Sequence, residues 1–358
     1  MDIRIVIFIL VLGYYFILGK RRNTVRSKNK LVFFSCILLA LYSGLRHISV
    51  GPDTPYYYQN FLDVLSFSWS DIISRFFVGS TEFRDPGYNL LVKVFTSIIP
   101  VWQLFLLALA FLYYYAMGKL WKGCISSSEG VLLAVMLVLS LFGIISLSGI
   151  RQQITIAISM MMILYVEDKK WKVVVPVVLI GALVHISLLF FLAFIPFHYV
   201  RKGHYRFYLG LSIVMMPIIA FSAQTIVGFM AGQLDNDYYM NYAEHSSMSS
   251  AYLYVIMCSL ISIYLLANYN QLLNAPTFLS SALVLMTITV PLILQDGAMI
   301  RIGQYFTIYM MLSLPWVLDT KKNNHILYDI MVIALLFFIL KSQSEYHFFW
   351  ESVPGFSY

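Results

Sequence analysis

Ser148-Gly149-Ile150-Arg151-Gln152-Gln153 opens an apolar run that continues to Val166 and stops at Glu167-Asp168-Lys169-Lys170-Trp171-Lys172. A run near the length of a bilayer-spanning helix, closed by a cluster of charges, reads as a transmembrane segment. The arginine at its opening sets it apart. A guanidinium beside hydrocarbon is costly, so it is usually paired or marks a site for an anion. The pattern recurs in both directions along the chain: Arg46, Arg84 and Arg301 also lie at the ends of apolar stretches.

The composition fits a membrane protein throughout. The chain is 60% hydrophobic and 11% charged, with a mean hydropathy of +0.78, whereas a soluble domain carries about 25% charged residues. These features predict an all-α polytopic membrane protein with about 10–12 transmembrane helices. No stretch reads as a soluble domain, so residues 1–358 are expected to form a single integral membrane domain. The net charge of +7 does not point to nucleic acid, because most of the cations fall in short loops where the positive-inside rule places them. Cys36, Cys124 and Cys258 are dispersed and show neither metal spacing nor a pair that reads as a disulfide. The N-terminal apolar run precedes its basic cluster and lacks a small-residue cleavage site, so it reads as a span rather than a signal peptide.

The loops set the predicted topology. Lys20-Arg21-Arg22, with Arg26, Lys28 and Lys30, follows a first span at about Ile3–Leu18 and is assigned to the cytoplasm. A second span at about Leu31–Leu45 returns the chain, making residues 46–88 an extracytoplasmic loop. Tyr88–Ile99, interrupted by Lys93 and closed by Pro100, is short and polar, and reads as re-entrant or interfacial. Spans follow at about Val101–Met117, Val131–Leu147 and Ile150–Val166. Val173–Phe197 fits either one crossing, which puts Arg201, Lys202 and Arg206 outside, or a broken helix that rises to His185 and returns, which keeps them inside. Pro176, Gly181 and Pro196 favour the broken form, because irregular backbone at membrane depth is tolerated where it lines a cavity. Further spans fall near Phe207–Met230, Tyr252–Leu266, Phe278–Leu294, Ile300–Leu318 and Ile326–Leu340, with a second extracytoplasmic loop at 232–250. On this topology Arg46, Arg84, Arg151, His185 and Arg301 share the outer face.

Several titratable groups there are candidates for chemistry. Arg151 opens a helix, whose unpaired amides and positive dipole end favour anions; the bland alternative is a snorkelling arginine. Arg301, in Asp296-Gly297-Ala298-Met299-Ile300-Arg301, has the same choice, with Asp296 as a private partner. Arg46 and Asp53 flank a Gly-Pro turn and could simply fasten it, and Asp85-Pro86-Gly87 could be a plain turn. His185 is either a satisfied core group or a general base, given its near-neutral reference pKa. Asp235-Asn236-Asp237 resembles a metal-binding Asp-x-Asp, a pattern short enough to arise by chance; neither a metal nor a cofactor is expected. A lipid-linked diphosphate is the anion that fits outward-facing arginines at a bilayer. It is anchored there, and guanidinium pairs bidentately with phosphate oxygens. Arg46, Arg84, Arg151 and Arg301 are then diphosphate-binding candidates. If a sugar is carried on that diphosphate, His185, Asp85 and Asp53 are candidates for proton removal from an acceptor hydroxyl. Tyr57, Tyr88, Tyr242 and Tyr305 are then candidates for lining a glycan path, with Tyr242 fitting the interfacial aromatic belt equally well.

Five short motifs, in order, carry a resemblance. They are Gly44-Leu45-Arg46 with Val50-Gly51-Pro52-Asp53; Asp85-Pro86-Gly87-Tyr88; Ile150-Arg151-Gln152-Gln153; His185-Ile186-Ser187; and Arg301-Ile302 with Tyr305. Together they resemble the EpsG family of Wzy-type polymerases of bacterial exopolysaccharide and O-antigen repeat units. Asp85 stands where that family's motif has glutamate, and Pro52 stiffens the Gly-Asp turn. The resemblance implies a fold like the GT-C glycosyltransferases and a place in the bacterial inner or plasma membrane. It also implies donor and acceptor oligosaccharides carried on undecaprenyl diphosphate, with block transfer of the growing glycan on the outer face, and a chain-length regulator as a possible partner. Two other functions fit the same residues: a ligase that moves finished glycan to another lipid, and a transporter or flippase of lipid-linked oligosaccharide. Transport predicts polar groups spread through the membrane depth, whereas here they concentrate near one predicted face.

Overall fold

The computed structural model describes residues 2–18, 24–78, 85–233, 251–295, 299–320, 325–341 and 345–356. Among these, every named element is a helix, and the β-pairing consists of isolated bridges at Arg46–Phe348 and Val353–Phe356. The protein is an all-α polytopic membrane protein. Three helices are long and apolar enough to cross a bilayer: Trp102–Cys124, Lys202–Phe221 and Thr277–Leu294. Six shorter apolar helices accompany them. Each predicted span falls on one helix or on consecutive helical segments. Cys36, Cys124 and Cys258 form no disulfide.

The chain divides into two compact units. The first comprises Met1–Leu164, Trp171–Leu189 and Lys321–Tyr358. Its helices are α1 (Ile3–Ile17), α2 (Val25–Gly44), α3 (Thr54–Ser66), α4 (Trp69–Val78), α5 (Pro86–Ile98), α6 (Trp102–Cys124), α7 (Ser128–Leu137), α8 (Gly143–Leu147), most of α9 (Ile150–Glu167), α10 (Trp171–Ala182) and, near the C-terminus, the helix His325–Lys341. The pairing of α2 with α6 is its most extensive helix contact. A π-helical turn at Val138–Phe142 joins α7 to α8.

The stretch read as the first extracytoplasmic loop is largely helical, as α3, α4 and the start of α5. In α3, Tyr57, Phe61 and Val64 recur at helical spacing and are buried, so the helix packs one face inward. They join Tyr88 and Val92 of α5, Trp102 and Phe105 of α6, and Ile150 and Ile154 of α9 in one apolar cluster. Phe61 meets the Trp102 ring edge-on at 5.4 Å. Buried Lys93 on α5 donates to the carbonyls of Val64 and Phe67, supplying a cation where α3 ends and its carbonyls lack helical partners. Lys28 does the same for α6, donating to Lys122 O at 2.8 Å and Ile125 O at 2.6 Å.

The second unit comprises Tyr165–Lys170 and Phe190–Thr320. Its centre is the helix Thr277–Thr289, in which every residue from Phe278 to Thr287 is buried. The Glu167 carboxylate caps it, accepting from Thr277 N at 2.8 Å and Phe278 N at 3.0 Å. Hydroxyls link this helix to its neighbours: Tyr205 with Ser281 at 2.8 Å, and Thr287 with Ser212. Such links satisfy polar groups where water is scarce.

Val173–Phe197 is a broken helix. α10 ends at Ala182, residues 183–185 turn, and a 3-10 helix runs from Ile186 to Ala193. His185 stands at the break.

Candidate functional site

Four of the five motifs meet in the first unit. The junction begins at Gly87, in the first turn of α5. Its amide donates to Leu183 O at 2.9 Å. A Cβ at this position would lie 2.8 Å from the Leu183 carbonyl carbon, so only glycine lets α5 approach the break after α10 this closely. Pro86 at the opening of the helix loses nothing by lacking an amide. Asp85, just before it, makes no side-chain cap to its own helix, and its carboxylate is turned to other partners.

Those partners are Arg151 and His185. Asp85 Oδ2 lies 2.5 Å from Arg151 Nη1 and 3.6 Å from His185 Nδ1. The first is a charge-assisted hydrogen bond; the second is too long for a formed bond and is an electrostatic contact. The side chains are largely buried, with 14% exposure for Arg151, 10% for Asp85 and 16% for His185. Burial acts to raise the Asp85 pKa, but the His185 imidazole and the Arg151 guanidinium outweigh it and hold the carboxyl below its ordinary range. Ser187, from the His185 motif, donates to Gln152 Oε1 at 3.1 Å, which ties the same two motifs together a second time.

Aromatic rings surround the guanidinium. Arg151 Cζ lies 5.0 Å from the Tyr88 ring centre, 5.4 Å from Tyr57 and 5.8 Å from Tyr56, within cation–π range. Tyr57 and Tyr88 are themselves edge-to-face at 5.7 Å. Arg151 Nε, the Tyr88 hydroxyl and His185 Nδ1 are among the buried polar atoms without a hydrogen-bond partner. Unfilled buried polar groups are uncommon in proteins, and they mark a place where a ligand can supply partners.

The first motif frames the site from α2 and α3. Gly51 has φ +89°, and a Cβ there would meet Leu147 O. Asp53 N donates to Ser148 Oγ at 3.2 Å, and Thr54 Oγ1 to Leu147 O at 3.1 Å. The Gly-Pro-Asp turn therefore sits on the chain just ahead of Arg151. Asp53 itself is half-buried at the start of α3. Arg46 is fully buried and donates to Ser43 O at 2.5 Å. The C-terminal segment runs beside it: His47 N donates to His347 O at 2.8 Å, and Phe349 N to Leu45 O at 2.9 Å. The charges of both Arg46 and Arg151 act on the Tyr88 hydroxyl.

Several expectations change with this geometry. Arg151 is neither a snorkelling surface arginine nor an unencumbered phosphate ligand, because it is buried against Asp85. Arg46 offers no exposed surface. Tyr88 and Tyr305 are fully buried and Tyr57 nearly so, so none of them presents an open face to a glycan; helix phase turns them inward. Tyr56, which the sequence reading passed over, is 60% exposed and carries the open ring beside Arg151. Its neighbour Pro55 at the helix start and the inward period of Tyr57, Phe61 and Val64 were the available signal. Arg301, in the first turn of Ile300–Thr307, and Tyr305 belong to the second unit. Arg84, Tyr242, Asp235, Asp237 and Asp296 lie outside the described residues. Among the described residues no three His, Cys, Asp or Glu side chains gather as a metal site.

No curated protein and no solved structure matches the chain. The EpsG family model matches residues 29–352, a span that takes in all five motifs and nearly the whole length. The chain belongs to the EpsG family.

Proposed function

We propose that this membrane protein of polysaccharide synthesis polymerises oligosaccharide repeat units carried on undecaprenyl diphosphate. On this reading the growing glycan passes as a block from its lipid diphosphate to the repeat unit of an acceptor lipid, at the outer face of a bacterial inner or plasma membrane. The observation that carries the reading is the meeting of Asp85, Arg151 and His185, three groups from three separate motifs, in one sheltered cluster of an EpsG-family chain.

Each group has a role that its geometry supports. Arg151, held in place by Asp85 and three tyrosine rings, stabilises the negative charge that develops on the departing diphosphate. Its buried, unfilled Nε is a donor kept for that moment. His185 removes the proton from the attacking acceptor hydroxyl. Asp85 faces both groups through one oxygen. It is the positioning residue: it orients the imidazole and stabilises it once protonated, rather than acting as the base itself. Tyr56 offers the exposed ring on which a sugar stacks. Arg46, which is fully buried, contributes positive charge without touching phosphate. Arg301 is assigned to diphosphate in the second unit.

Proteoliposomes containing the purified full chain and fluorescent lipid-linked repeat units test this. A ladder of lengthened glycan on a gel is expected. Movement of label across the bilayer with no change in glycan size indicates a flippase and overturns the proposal. Transfer of preformed polymer to a second lipid, without growth from single units, indicates a ligase and overturns it equally.

A further inference from the structure

Arg26, the pair Asn29 and Lys30, Phe33 and Ile37 follow one another at three or four residues along α2. One face of the helix therefore carries two cations and an amide, then apolar side chains. These residues line a cleft of about 900 Å³. Tyr14 and Phe34, stacked at 4.4 Å, form another wall, and Lys122 of α6 adds a third cation.

Among the described residues no acidic side chain lines this cleft. Among the described residues Arg26, Lys30 and Lys122 make no ion pair, whereas Lys28 spends its charge on the carbonyls that end α6. The arrangement has two costs. Arg26 and Lys30 are like charges one helical turn apart, and Arg26 sits in the first turn, at the positive end of the helix dipole, where no acid balances it. An anion in the cleft relieves both. The apolar part also lacks a cover: Val25 is 70% and Phe33 61% exposed. An anion that brings its own hydrocarbon satisfies the two halves together. The buried Oδ1 of Asn29 has no hydrogen-bond partner, and it is an acceptor that suits a hydroxyl donor. Loop placement by the positive-inside rule accounts for the cations, but it does not account for the aromatic wall or the amide.

The geometry points to a binding site for an acidic glycerophospholipid with a hydroxylated head group. Its phosphate is held by Arg26, Lys30 and Lys122. Its head-group hydroxyl donates to Asn29, and its acyl chains lie over Phe33 and Ile37. The site is separate from the Asp85–Arg151–His185 cluster and does not depend on the reaction proposed for it.

Native mass spectrometry of the full chain, titrated with phosphatidylglycerol, phosphatidylethanolamine and polyprenyl monophosphate, tests this. Phosphatidylglycerol is expected to be retained at about tenfold lower concentration than phosphatidylethanolamine. The variant R26Q/K30Q/K122Q loses that preference. The variant K169Q/K170Q/K172Q, which removes as many cations outside the cleft, keeps it. Lys122→Gln alone, the mildest change, lowers the preference about threefold. The proposal is overturned by equal retention of the two phospholipids, by an unaltered preference in the cleft variants, by an equal loss in the control variant, or by displacement of phosphatidylglycerol with equimolar polyprenyl monophosphate.

Discussion

Arg151 and Asp85 neutralise each other where little water reaches them, so neither is replaceable alone. Removing one member of such a pair strands a buried charge and costs about 3–5 kcal/mol, whereas replacing both with apolar groups costs far less. Arg151→Ala should therefore lower the thermal unfolding midpoint in detergent sharply. The double variant Arg151→Leu/Asp85→Leu should recover most of that loss and still fail to lengthen glycan. Recovery of activity along with stability would show the pair to be only structural. The pH dependence follows from the same carboxyl. The fold holds it below its ordinary range, so its stabilising contribution is complete above the unfolded carboxylate pKa of about 3.9 and disappears as pH falls through the lower folded value. Unfolding midpoints measured against pH should drop steeply at the acid end for the native chain. Asp85→Asn should flatten that limb, and an unchanged limb would place the acid sensitivity elsewhere.

Among the elements, the broken helix and α5 position the site, and their approach depends on Gly87. A methyl group there meets backbone that cannot swing aside. Gly87→Ala should move α5 away from the His185 turn, cost about 1–3 kcal/mol, and reduce glycan lengthening more than a loss of that size explains. Gly123→Ala on α6 is the control: nothing lies within 4 Å of its Cβ position, so unfolding should be no easier, and activity should be unchanged. A neutral Gly87→Ala, measured by the same unfolding and gel assays, would remove the reason given for that glycine.

The element scale also separates what the sequence discloses from what it conceals. Spans such as Trp102–Cys124 follow from hydropathy, because lipid demands long apolar helices. The helix break followed from Pro176, Gly181 and the polar His185 between apolar runs. α3 and α4 fall in a stretch between predicted spans that has no apolar run of spanning length, although Tyr57, Phe61 and Val64 keep a helical period there. The Asp85–Arg151 pair was not legible. Which carboxylate a buried arginine meets depends on tertiary approach, and local spacing carries no record of it. The same holds for the C-terminal segment beside Arg46, where the backbone of residues 347–349 pairs with that of residues 45–47. Of the tyrosines, only helix phase decides that Tyr56 faces outward while Tyr57 does not.

At the scale of the whole molecule, the chain is a helical membrane protein in which several charged groups finish helix ends. Lys28, Lys93 and Glu167 each satisfy backbone groups that lipid cannot. Asp85, Arg151 and His185 do not finish helix ends. They are brought together from three separate helical segments, in a family assigned to polysaccharide synthesis. The central claim is that this cluster performs glycosyl transfer on a lipid diphosphate. The most direct measurement compares glycan ladders formed from lipid-linked repeat units by purified wild-type, His185→Ala and Arg151→Lys proteins, each first shown to unfold as cooperatively as the native chain. Both variants are expected to leave single units unextended, since the lysine keeps the charge but not the planar fork that fits phosphate. A full-length ladder from either folded variant would contradict the claim.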